Sequence, residues 1–217
     1  MVKEEFQREL RELREFVASK SLETIELLPQ AMKSLVSRDL ALANNVIKIH
    51  DELDKFEDEV EMRCVRLLAL HQPMASDLRF IAGCLKISTD IDRIGHYAVN
   101  IAEVTQATAD TPHFKPLVIL PHMGEIAAAM CRDAVKAFIE GDIELAKGLS
   151  KRDDDVDGLE EDILRELLTY MMEDVKKLKQ STFYIMVARY LERVGDHACK
   201  IGEKAVYVKT GERIQIK

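Results

Sequence analysis

One stretch of this chain occurs twice, and no other feature limits the possible folds as much. Asp92-Arg93-Ile94-Gly95-His96-Tyr97-Ala98 is answered, about a hundred residues later, by Glu192-Arg193-Val194-Gly195-Asp196-His197-Ala198. Upstream, His50-Asp51-Glu52-Leu53-Asp54 is answered by Asp153-Asp154-Asp155-Val156-Asp157 at a spacing of 103 residues. Arg, a β-branched residue, Gly and Ala hold register in the first match. Beside them each copy carries two metal-capable side chains one helical turn apart. Two similar subunits of fold are implied, each too long to be a solenoid unit.

Apolar periodicity makes those units helical. The spacing predicts a first helix from Glu4 to Val36 on Phe6, Leu10, Leu13, Val17, Ile25, Leu28, Met32 and Leu35, kinked by Pro29. A second helix starts near Asp39 on Leu42, Val46, Ile49, Leu53, Phe56, Val60 and Leu67. Gln72-Pro73 ends it, and Pro73 is placed to open a third helix that runs to about Ala109. Pro112, Pro116, Pro121 and Gly124 mark a linker over 111–124. A fourth helix to Glu140, a fifth on the stripe of the second, and a sixth to about Lys209 complete the second unit. The expected fold is all-α, two tandem antiparallel three-helix bundles with internal pseudo-two-fold symmetry, over 1–110 and 111–217.

Composition removes several function classes. A net charge of −8 disfavours nucleic acid, which needs clustered Lys and Arg on phosphates. Arg8, Arg11 and Arg14 alternate with glutamates and read as a solvated face. No apolar run approaches the ~18–20 residues of a membrane span, so membrane contact is expected only through partners. Cys64, Cys84, Cys131 and Cys199 lack CxxC spacing and fall in helices. They read as buried reduced thiols of a cytoplasmic protein rather than a disulfide frame or zinc site.

The candidate site residues are the repeated pairs. Glu192 with Asp196, Asp153 with Asp157, Asp92 with His96, and His50 with Asp54 each share one helix face, with Cβ atoms about 5–6 Å apart. Each pair lies one residue from the core stripe, a rotation of about 100°, and therefore flanks a helix–helix seam. Singly, such a pair reads as solvated charge. Repeated at matching positions in both halves, the set reads as metal sites. Oxygen donors suit magnesium, manganese or iron, whereas His50 and His96 turn the first site toward iron, nickel or zinc. Asp51 and Asp154 are candidate additional ligands, as are Glu57 and Glu160. His71, His113, His122 and His197 have no repeating acidic partner and read as surface or packing histidines. Gly95 and Gly195 read as close helix–helix contacts.

Catalytic signatures are missing: no Glu-x-x-His, phosphate-binding glycine loop, G-x-S-x-G or H-E-x-x-H occurs. The chain is not expected to be an enzyme.

Gln72-Pro73-Met74-Ala75-Ser76-Asp77-Leu78-Arg79, Asp92-Arg93-Ile94-Gly95 and Glu192-Arg193-Val194-Gly195-Asp196 resemble the PhoU-type regulators of phosphate uptake. The likeness covers essentially the whole chain. It implies two three-helix bundles and multinuclear metal clusters at the acidic motifs. It further implies negative regulation linking a phosphate-specific ABC transporter to a sensor histidine kinase. By that resemblance Glu192, Asp196, Asp153 and Asp157 match the motifs of the second half, and Asp92 and Asp54 those of the first. His96 and His50 depart from them. The combined expectation is a cytoplasmic, metal-binding adaptor, a homodimer through its long amphipathic helices. Its rivals are a metal-dependent hydrolase or oxidase and a metal-free helical adaptor.

Overall fold

In the computed structural model the backbone is described for residues 2–53 and 55–217, and side chains for 4–50 and 55–217. Nine α-helices follow one another among the described residues: α1 (Val2–Ile25), α2 (Leu27–Ser37), α3 (Leu40–Leu53), α4 (Phe56–His71), α5 (Ala75–Thr108), α6 (Ile119–Glu140), α7 (Ile143–Lys147), α8 (Leu149–Glu173) and α9 (Leu178–Thr210). A single 3₁₀ turn, Val175–Lys177, precedes α9.

The six predicted helices are there, and several are broken. The first divides at Glu26 rather than bending at Pro29. A proline ring meets the carbonyl four residues back, here that of Ile25, so the break falls there and Pro29 sits in the first turn of α2. The second divides into α3 and α4, and the fifth into α7 and α8 at Gly148. The third begins at Ala75, two residues beyond Pro73, with Met74 extended. The linker is shorter than expected, because Pro121 and Gly124 lie inside α6. A proline in the first turn gives up an N–H that has no helical partner there.

Helix boundaries repeat as well as motifs. Arg38 and Gly141, 103 residues apart, both end a helix with positive φ, 55° and 71°. Asp39 and Asp142 follow, and their carboxylates cap the next helices by accepting the amides of Leu42 and Leu145, each at 3.0 Å.

α5 packs on α2, α3 and α4, and α9 packs on α6, α7 and α8. The bundles then join along α5–α9 and α1/α2–α6, so that one apolar core runs through both. Glycines set the closest approaches. A Cβ at Gly83 would lie 2.8 Å from the Phe138 ring and 3.0 Å from Val208, and one at Gly124 would lie 2.9 Å from Met32. The Phe138 ring is itself held by stacking on Phe80, centroids 5.2 Å apart. Arg14 is not solvated as expected: it lies 4.1 Å over Phe80 and donates to the carbonyl of Ile139, joining α1 to α6. The four cysteines are free and buried, as the sequence predicts.

Gly83→Val should overpack this junction and cost about 1–3 kcal/mol. At about 2–4 °C per kcal/mol for a chain this size, the melting temperature followed by circular dichroism should fall by several degrees. An unchanged melting temperature would show that the bundles do not interlock at Phe138.

Candidate functional site

The first-half cluster forms where α5 crosses α3. Ile87, Ile91, Ile94 and Ala98 of α5 are buried in the core, which places Asp92 and His96 at the edge of the seam. Opposite them, near the end of α3, His50 is only 5% exposed. Gly95 makes room for it: a Cβ there would come within 2.7 Å of His50 Cδ2 and 2.9 Å of Nε2. The His50 and His96 rings are tilted with centroids 4.6 Å apart, and His96 Nε2 lies 3.4 Å from Asp92 Oδ2. One ligand atom from each of His50, Asp92 and His96 falls within 4.8 Å of the others. Among the described residues this is the one group of three close enough to share a metal ion. The Asp51 and Asp54 side chains lie outside the described residues.

The second half repeats the device with carboxylates. A Cβ at Gly195 would lie 3.0 Å from Asp153 Oδ1, so the glycine again admits a polar side chain from the facing helix, here α8. Both expected helix–helix contacts are therefore glycines set against a candidate ligand. Asp153 is 2% exposed, and its Oδ1 has no hydrogen-bond partner; neither does the buried Oε2 of Glu192. Buried carboxylate oxygens without donors are costly and rare. Burial is the largest cause raising the Asp153 pKa; the Lys217 ammonium opposes it, and Asp157 and Asp196 add to it. The Glu192 pKa is raised by burial first, then by the Asp196 and Glu160 carboxylates. Asp157 and Asp196 face Asp153 from α8 and α9, whereas Asp154 is exposed and stands apart from the group. One residue of helix, about 100° of rotation, separates Asp154 from the seam.

Two features of these sites escape sequence reasoning. The Lys217 ammonium enters the second cluster, 2.8 Å from Asp196, 3.2 Å from Asp153 and 3.3 Å from Asp157. His197, expected to be an ordinary packing histidine, meets Asp90 of the other repeat at 2.8 Å between Nδ1 and Oδ1. Neither contact has a local signal, since its partners are distant in sequence.

By donor type both halves suit a cation, two imidazoles with a carboxylate in the first and carboxylates with buried oxygens lacking hydrogen bonds in the second. Among the described residues, however, only the first brings three ligand atoms close enough to share an ion. No helix among the described residues is long and apolar enough to cross a membrane. Fold and site together define a duplicated helical-bundle protein with a polar cluster built into the seam of each half. The PhoU domain matches residues 20–105 and again 120–205. The phosphate-specific transport system accessory protein PhoU homolog of Aquifex aeolicus is 40% identical over 208 residues, 96% of this chain and 94% of that protein. The crystal structure of PhoU from Pseudomonas aeruginosa superposes with a TM-score of 0.91 at 33% identity, covering 95% of this chain and all of that one. The phosphate transport system regulatory protein PhoU from Streptococcus pneumoniae gives 0.88 at 27% identity, over 97% and 99%. The chain belongs to the PhoU family, whose relatives are accessory and regulatory proteins rather than enzymes.

Asp153 and Glu192 hold protons more tightly folded than unfolded. In metal-free protein the stability they contribute is therefore full in acid, below their unfolded values, and is lost as pH rises through the raised folded values. Glu192→Gln, which removes one such carboxylate, should be more stable than the parent at pH 7 in EDTA. Urea unfolding should show that advantage shrinking toward pH 4. An advantage that grows on acidification would contradict the burial argument.

Proposed function

We propose that this protein is a metal-dependent negative regulator of phosphate uptake, acting at the cytoplasmic face on a phosphate-specific ABC transporter and a phosphate-responsive sensor histidine kinase. The observation that carries the metal reading is the pair of glycine-framed clusters. His50, Asp92 and His96 would hold an ion in the first half, with Asp51 and Asp54 as further candidates on α3 and just beyond it. Asp153, Asp157, Glu192 and Asp196 would do so in the second, where Asp153 Oδ1 has no hydrogen bond and Glu192 Oε2 has none beyond an ion pair with Arg193 at 3.5 Å. The exposed Asp154 is the weakest candidate.

A bound divalent ion would supply positive charge at a seam otherwise crowded with carboxylates. That makes the face offered to a partner far less negative. The chain's own part is to hold the donors. α5 and α9 present one half of each set, α3 and α8 the other, so an ion at either seam would tie two helices of one bundle together. The transporter role is supported by the names of the relatives, accessory and regulatory proteins of phosphate transport systems. Exposed Met62 and Val65 on α4, with Leu168 and Met172 on α8, support the pairing of two copies.

Elemental analysis after dialysis without chelator should find iron, zinc, nickel or manganese in the protein. His50→Ala/His96→Ala and Glu192→Ala/Asp196→Ala should each lose about half of it with unchanged helical circular dichroism. Protein that contains none and takes up none would sink the metal reading. In the source organism, deletion of this chain should switch on a phosphate-starvation reporter in phosphate-rich medium, and a silent reporter would sink the regulator reading.

A further inference from the structure

After α9 the chain turns at Gly211 and lies back along the helix it has just left, and its attachment is specific. The Ile216 amide donates to Glu203 Oε1 at 3.1 Å. The Ile216 side chain is buried, and its Cδ1 stands 3.0 Å from where a Cβ on Gly202 would be. Arg213 lies 5.7 Å over the Tyr207 ring. These contacts deliver the Lys217 ammonium among Asp153, Asp157 and Asp196, at 3.2, 3.3 and 2.8 Å. An open groove of about 470 Å³ beside it, bordered by Asp196, Cys199, Lys200, Glu203, Ile214 and Lys217 itself, gives solvent access to Asp196 and the ammonium.

The geometry points to Lys217 as a tethered cation that occupies the second acidic cluster, so that a divalent ion loads there only by displacing the strap 212–217. This rests on the metal reading of the second cluster given above. The ammonium provides one positive charge and at most three donors for three carboxylates, and it leaves Asp153 Oδ1 unsatisfied. A divalent ion brings twice the charge and accepts oxygen donors without a fixed number of hydrogens. The tether nevertheless gives the ammonium a high effective concentration at the site. If the latched form makes up about nine-tenths of the population, the apparent affinity for an ion falls about tenfold, since only the open fraction is competent. The second cluster then fills at higher metal concentration than it otherwise would, and filling it releases Ile216 from its seat on α9. The paired sites would differ in loading although the frame around them is duplicated.

The test is Mn²⁺ titration of demetallated full chain, with free ion counted by electron paramagnetic resonance, on the parent, Lys217→Met and Lys217→Met/Asp153→Asn. Hydrogen exchange of residues 212–217 is read in parallel. The expected result is binding about tenfold tighter in Lys217→Met, abolished at that site in the double variant. Faster exchange of 212–217 in the parent on adding Mn²⁺ is the second expected sign. Equal affinity in the parent and Lys217→Met, still lost with Asp153→Asn, would overturn the latch and leave the metal site standing. No Asp153-dependent Mn²⁺ in any of the three would overturn the metal reading of this cluster, and the latch with it.

Discussion

Two places where a helix has no side chain govern the arrangement. At Gly95 and Gly195, α5 and α9 come so near their neighbours that a methyl group would meet His50 or Asp153 at 2.7–3.0 Å. An ordinary residue there would hold the helices apart and leave both polar groups at the surface. With glycine, each is drawn into the seam until it is almost wholly buried. Burial makes these groups chemically consequential, because an ionisable side chain inside a seam must find a partner or give up its charge. His50 finds Asp92 and His96 beside it; Asp153 finds a lysine. The repeated glycine and the repeated polar residue are therefore one structural device rather than two motifs.

Duplication preserved the frame while the donors diverged. The caps at Asp39 and Asp142 and the helix stops at Arg38 and Gly141 coincide across the halves, so the backbones enter their seams in the same way. Within that frame the first cluster carries two imidazoles, whose ring nitrogens are softer donors, and the second carries carboxylates alone. Four carboxylates at one seam repel one another. Such a site invites a cation of some kind, and the fold already provides one in Lys217.

The repeat, the all-helical fold and the seam position of the paired residues were legible because periodicity and spacing are local properties. Position one step off an apolar stripe sufficed to place Asp92, Asp153 and Glu192 at a seam. Helix breaks were less legible: Pro29 signals an interruption, but the clash it creates acts one turn earlier, at Ile25. Pro121 looked like linker because a proline's sequence signal is the same before a helix as in its first turn. Arg14 looked solvated because its aromatic and carbonyl partners, Phe80 and Ile139, come from two other helices. Asp154 shows the opposite limit, since an acid beside a buried acid points the other way. Lys217 and His197 were illegible for one reason: nothing in a linear sequence announces which distant carboxylate a lone cation or imidazole will meet.

The same geometry ties the two seams to each other. Asp90 stands two residues before Asp92 on α5, and His197 directly follows Asp196 on α9. These two close a contact across the repeats, with Tyr97 stacked on Tyr190 alongside, centroids 5.9 Å apart. Each of the two long helices thus carries half of a site on one face and half of the inter-bundle junction on another. Packed helices shift as rigid pieces, since close-packed interiors transmit displacement rather than absorb it. A change that moves α9 relative to α8 at Asp153 must therefore be accommodated at the Asp90–His197 contact, within one turn of the first cluster. In a protein whose bundles had separate cores, the two seams would be mechanically independent. Here the common core through Phe80, Phe138 and Val208 removes that independence.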